Sequence, residues 1–198
     1  MSYGTNAPMG LVPFRYLNGA TFNGATNQYR ILNTYASSIF TGDPVTLAND
    51  GTITRGAAGA ACVGVFQGCQ YIDSNGDVKW LPYWPGNPGV LTGQQATCFV
   101  IDDPNVVFSI QETDASGNAG TPLSLADVGL NANFLYTAGV TATGQSRVSL
   151  NNASEGVTDT LNLKILALDP TVPNVVGNFA NWLVTLNNHR YRTGITGV

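Results

Sequence analysis

The sequence predicts an all-β protein, and three observations predict it. Apolar residues recur with a period of two, the runs are short and broken by Asn-Gly, Asp-Gly and Ser-Gly pairs, and helical patterning is confined to the short stretches Ser124–Val128 and Asn174–Asn181. A chain of 198 residues is one domain or two small, closely packed ones. It is long enough to bury roughly 70% of the surface its unfolded form exposes.

Residues 1–30 read as an extended N-terminal arm. Pro8, Pro13, Asn18-Gly19 and Asn23-Gly24 prevent a helix, and Leu11, Val12, Phe14, Tyr16, Leu17 and Phe22 are too many apolar groups for a free tail. We expect the arm to lie on another surface, with Pro13, Phe14, Arg15, Tyr16 and Arg30 in the contact. The alternative is an arm that packs back on its own domain.

Thr41–Gly68 reads as a barrel wall, two extended runs around Asp50-Gly51, a small-residue loop, then an apolar run. Asn75-Gly76 separates Gln70–Asp73 from Val78–Tyr83. Both central residues of a type I′ turn need positive φ, which Asn and Gly tolerate best, so a type I′ hairpin is expected there. Further along, Val106, Phe108 and Ile110 form one face of a strand. So do Leu161, Leu163, Ile165 and Ala167, and then Trp182, Val184 and Leu186. The opposite face of the 161–168 run is also partly apolar, which predicts cover on both sides. Ser116-Gly117-Asn118 and Thr143-Gly144 mark loops. Roughly ten to twelve short strands at this spacing suit a barrel or a sandwich.

Charged residues are 10% of the chain and hydrophobic ones 43%. Such a chain has too little charge to stay disordered and presents a neutral surface suited to cover by partners or by its own copies. All 12 acids lie between Ile31 and Asp169, while Arg15 and Arg30 carry the charge of one end and Arg190 and Arg192 that of the other. This polarity suits tails that dock on an acidic neighbour. The few dispersed basic residues exclude nucleic acid as a partner. No apolar run has the ~18 residues of a membrane helix.

Chemistry is sparse. The single histidine, His189, lies in a polar segment beside Arg190 and Arg192 and reads as an exposed terminal residue, not a catalytic base. Asp102-Asp103 precedes Pro104 and reads as a strand end and turn, not a carboxylate pair for glycoside chemistry. Cys62, Cys69 and Cys98 lack the paired spacing of a zinc site; an odd count with no signal peptide fits reduced thiols made in a cytosol. No catalytic residue, metal ligand or cofactor site is therefore assigned. One cluster is suited to binding. Trp80, Tyr83 and Trp84 sit in a stiff loop with Pro82, Pro85 and Pro88. Such rings anchor protein interfaces, stack on sugars, or cap the protein's own barrel.

Gly42-Asp43-Pro44-Val45, Asp50-Gly51-Thr52-Ile53 and Val63-Gly64-Val65-Phe66, followed by Tyr71, Gly76, Tyr83-Trp84-Pro85 and Asp102-Asp103-Pro104-Asn105, form a succession. It resembles the capsid decoration (cement, head-stabilising) proteins of tailed bacteriophages over about Ala36–Gln111. The resemblance implies a β-barrel or β-tulip-like body, here residues 31–115. The remaining residues 116–198 would add a β-sandwich or jelly-roll-like C-terminal subdomain packed on the first. It also implies a non-enzymatic virion protein, made in the host bacterial cytoplasm and seated on the capsid outer surface as a homo-oligomer, a trimer, bound to the major capsid protein. Trp80, Tyr83, Trp84, Arg190 and Arg192 are then interface candidates. The competing expectations are another virion β-protein, such as a minor capsid or tail component, and a jelly-roll carbohydrate-binding module.

Overall fold

Turn chemistry sets the strand pairs. In the computed structural model, which describes residues 4–171 and 173–192, the first strands are β1 (Val12–Tyr16), β2 (Asn27–Ile31), β3 (Ile39–Phe40), β4 (Pro44–Leu47) and β5 (Ile53–Arg55). β6 (Gly64–Ile72), β7 (Val78–Leu81), β8 (Tyr83–Trp84), β9 (Ala96–Ile101) and β10 (Val106–Thr113) follow. The last are β11 (Asn131–Ala132), β12 (Phe134–Leu135), β13 (Ser149–Asn151), β14 (Leu163–Leu168) and β15 (Asn181–Leu186). The fold is all-β. Ser124 caps a 3-10 turn at Leu125–Asp127 through a reciprocal capping box with Asp127. The expected helix at Asn174–Asn181 is absent. Instead the Asn174 side chain donates to the carbonyls of Asp169 and Asn181 and accepts from Asn181 N, which fixes an irregular loop.

Asn75-Gly76 closes the β6–β7 hairpin, but not as type I′. Gly76 alone has positive φ (89°), Asp73 N bonds Asp77 O, and Gly76 N bonds Asp73 O. That is a type I turn with a glycine bulge. The Asp73 carboxylate accepts from the N–H groups of Asn75 and Asp77, which stabilises this three-residue alternative. The β4–β5 turn repeats the pattern, Gly51 N to Ala48 O and Ala48 N to Thr52 O.

Six strands form a curled sheet in the order β2-β9-β6-β4-β5, with β7 added on β6. Arg30 and Thr52 bridge its two margins, so the wall closes around Ile31, Val45, Ile53, Phe66, Cys98 and Val100. A Cβ on Gly64 would meet the Ile101 carbonyl oxygen at 2.2 Å, which is the physical reason for glycine in Val63-Gly64-Val65.

Seven strands form the second sheet, β11-β14-β15-β10-β13-β12, with β1 also on β10. Its margins β11 and β12 are separated by the single residue Asn133, so this sheet curls nearly shut on itself. Val106, Phe108, Ile110, Leu163, Ile165, Trp182, Val184 and Leu186 fill it, as their alternation predicts. A bulge between Ile165 and Ala167 changes one expectation, because Leu168 then turns to the core in place of Ala167. Leu11, Cys62, Val65 and Ile101 also enter this core, so adjacent residues of β6 and β9 serve the two interiors in turn.

These pairings revise the expected organisation. β1 is a strand of the second sheet, paired antiparallel with Val106–Ser109, and Leu11 is fully buried. Residues 1–30 are therefore no separate arm where described. β10 likewise belongs with the C-terminal strands, so the sheets change over at 101–106 instead of 115.

Candidate functional site

Antiparallel register places Arg30, Thr97, Gln70 and Trp80 in one row across β2, β9, β6 and β7 on the outer wall of the first barrel. Trp80 is 63% exposed and lies 5.6 Å from the Phe99 ring at an interplanar angle of 11°. β6 runs between the two rings, and its residue opposite Phe99 is Gly68, which has no side chain to separate them. Val78 is exposed two residues from Trp80. The nearby charge is internally compensated, since Lys79 Nζ lies 3.2 Å from both Asp73 and Asp77. Those bonds, Asp73 first, hold the ammonium above its ordinary pKa.

The neighbouring interface candidates are not at this surface. Trp84 is fully buried, donates Nε1–H to the Tyr35 carbonyl at 2.9 Å and packs edge-on against Tyr71. Tyr83 is half-buried and stacks on Phe40. The cause is the short β3–β8 ladder, Ile39 with Trp84 and Phe40 with Tyr83, which turns the aromatic pair inward. A three-ring sugar platform of Trp80, Tyr83 and Trp84 is thus excluded by geometry.

A second apolar surface lies on β1. Met9, Val12 and Phe14 are 50%, 36% and 36% exposed and line a groove of about 320 Å³ with Ser109, Gln111 and Asp169. Its floor is tied by hydrogen bonds. Ser109 Oγ donates to Asp169, Ala7 N donates to Gln111 Oε1, and Gln111 Nε2 donates to the Thr5 carbonyl. Pro13 faces Phe108 across the ladder, and Tyr16 packs on Phe22 and donates to Asn23. Arg15 Nη1 reaches the Tyr16 carbonyl.

The C-terminal segment is fastened down. Cys62 N bonds Asn188 O, and Arg190 N bonds Cys62 O. Arg192 Nη2 donates to the Pro104 carbonyl at 2.7 Å. Tyr191 and Tyr29 share a hydroxyl contact of 2.7 Å, and Tyr29 also donates to Asp102 at 2.6 Å. Burial, then the Asp102 and Tyr191 bonds, raises the Tyr29 pKa. His189 is completely buried, which corrects the expected exposed terminus, and its Nδ1 accepts from Tyr191 N. Burial, with Arg192 adding, lowers its pKa to about 4. Burial thus favours the neutral imidazole beneath this segment. Arg190 and Arg192 are accordingly bound into the body instead of projecting toward a neighbour.

Asp43, in the Gly42-Asp43-Pro44 turn, is also fully buried and its pKa is raised to about 6 by burial. Its Oδ2 accepts from Phe40 N at 2.9 Å. Among the described residues, no group of three or more His, Cys, Asp or Glu side chains could hold a metal ion, and no helix is long and apolar enough to cross a membrane.

Phe99, Gln70, Val78 and Met9 were not singled out by sequence reasoning. The hairpin at Asn75-Gly76 contains the signal for two of them, because counting back from the turn sets Gln70 opposite Trp80 and Ile72 opposite Val78. Comparison with family models, with curated proteins and with solved structures finds no match to the chain.

Proposed function

We propose that the chain is a structural virion protein that binds the outer surface of an icosahedral phage capsid. There it cements neighbouring major capsid protein subunits and holds the expanded head against DNA pressure. The observation that carries the reading is the groove along β1, where Val12 and Phe14, on a strand built into a nearly closed sheet, and Met9, just before that strand, offer uncharged anchors. Anchors on rigid backbone lose little entropy on docking.

The action is linkage without catalysis. A protein that binds the expanded shell in preference to its precursor or dissociated subunits stabilises that shell by mass action, by RT ln(1 + [L]/Kd) per site. Only the difference in affinity between states drives expansion. Many copies, each bridging two subunits, add weak contacts through high effective concentration.

The test substitutes exposed anchors, so the fold is spared. Phe14→Asp and Met9→Asp are expected to reduce occupancy on expanded capsids roughly tenfold or more, because each would bury an unpaired carboxylate. Circular dichroism and the thermal midpoint should match the parent. Full occupancy by both folded variants would refute the reading. Stoichiometry in purified particles gives an independent readout, with hundreds of copies expected and a handful pointing to a tail component.

A further inference from the structure

Among the described residues, β7 is paired along one edge, with β6. The hydrogen-bond phase of its other edge follows from the turn. Asp73 N bonds Asp77 O, so the bonded pairs of the β6–β7 ladder fall at 73/77, 71/79 and 69/81. The N–H and C=O groups of Val78 and Trp80 therefore point away from β6, and neither residue's backbone has another hydrogen-bond partner in the described structure. On the same strand Val78 is 55% and Trp80 63% exposed.

We propose that a second copy of this chain pairs here, β7 against β7, antiparallel about a twofold axis at Lys79. This register is self-complementary. It sets Val78 opposite the partner's Trp80 and Trp80 opposite the partner's Val78. Both are hydrogen-bonded positions, so four backbone bonds form. Each Trp ring meets a β-branched side chain across the strands, a favoured pair. The two Lys79 side chains approach at a non-bonded position on the other face. An edge lysine ordinarily blocks such pairing. Here the carboxylates of Asp73 and Asp77 neutralise each ammonium within its own copy, which offsets the like charge of the facing lysines. A twofold pair replaces the trimer that the family resemblance implies, and it stands whether or not the capsid reading holds.

The register makes the test specific, because facing residues at a non-hydrogen-bonded antiparallel position have Cα atoms close enough for a disulfide. Lys79→Cys is expected to oxidise to a disulfide-linked dimer, while Ser116→Cys, exposed on a distant turn, stays at background. The native Cys62, Cys69 and Cys98 are all buried and do not compete. Light scattering on the unmodified chain should give a dimer, and Val78→Lys should weaken it roughly tenfold. A monomer, a trimer, or a dimer that Lys79→Cys fails to trap would overturn the proposal.

Discussion

Trp80 and Trp84 are four positions apart and occupy opposite environments. Trp84 is sealed among Tyr35, Tyr71 and the barrel core, whereas Trp80 keeps most of its surface in water against Phe99. Removing a buried Trp leaves a cavity as well as a lost transfer term. Trp84→Ala is expected to cost about 3–5 kcal/mol in urea unfolding. Trp80→Ala should cost about 1 kcal/mol, the worth of the ring pair. Equal losses would mean that the two rings share one environment. The loop sequence did not reveal the difference, because Pro82 and Pro85 mark a turn-rich segment and say nothing about which ring the two-residue β8 ladder draws inward. His189 misled for a similar reason. Its neighbours are polar, but its backbone continues from β15 into a bridge with Cys62, which carries the imidazole under the C-terminal segment.

At the level of elements, what could be read locally was read well. The inward faces of β10 and β15, and of β14 at Leu163 and Ile165, follow from alternation, and the β4–β5 and β6–β7 hairpins from their Gly-containing turns. What depends on distant partners was hidden. β1 looks like an arm because its partner residues on β10 lie between 90 (Tyr16 to Val106) and 97 (Val12 to Ser109) positions away, and no local pattern records that pairing. The bulge that turns Leu168 inward is set by the register against β15, not by the β14 sequence. The groove on β1 was half legible, since Phe14 is conspicuous, but its floor at Ser109 and Asp169 arrives only through tertiary pairing. Because β1 belongs to the sheet, deleting residues 1–22 is expected to lower stability by more than about 3 kcal/mol, the loss of buried Leu11 alone being of that order. An unchanged urea midpoint in the truncated chain would restore the view of a dispensable arm.

Across the whole molecule, two interiors share the walls β6 and β9, and the buried groups Asp43 and His189 oppose each other. Asp43, raised from 3.8 to about 6, contributes stability that is complete below 3.8 and gone once the pH has risen through about 6. His189, lowered from 6.5 to about 4, contributes stability that is complete above 6.5 and lost as the pH falls through about 4. Each effect is worth about 3 kcal/mol, so this pair nearly cancels between pH 4 and 6, while Glu112, also fully buried with its pKa raised by burial, adds to the Asp43 side. Relative to the parent, Asp43→Asn should therefore tilt the profile toward loss of stability on acidification across that window, and His189→Gln should tilt it the other way. Urea midpoints at intervals from pH 4 to 7 measure the divergence, and parallel profiles for the two variants would contradict it.

β1 and β15 lie on either side of β10, both antiparallel to it, and hence run in the same direction. The chain leaves β1 at its start and β15 at its end, so tension between the termini drags these two strands in opposite senses along β10. The ladder bonds lie across that pull and must rupture together instead of peeling singly. Load reaches this shear geometry once the bonds that hold residues 10–11 and 188–192 to the body have yielded, and the three strands then slip in concert.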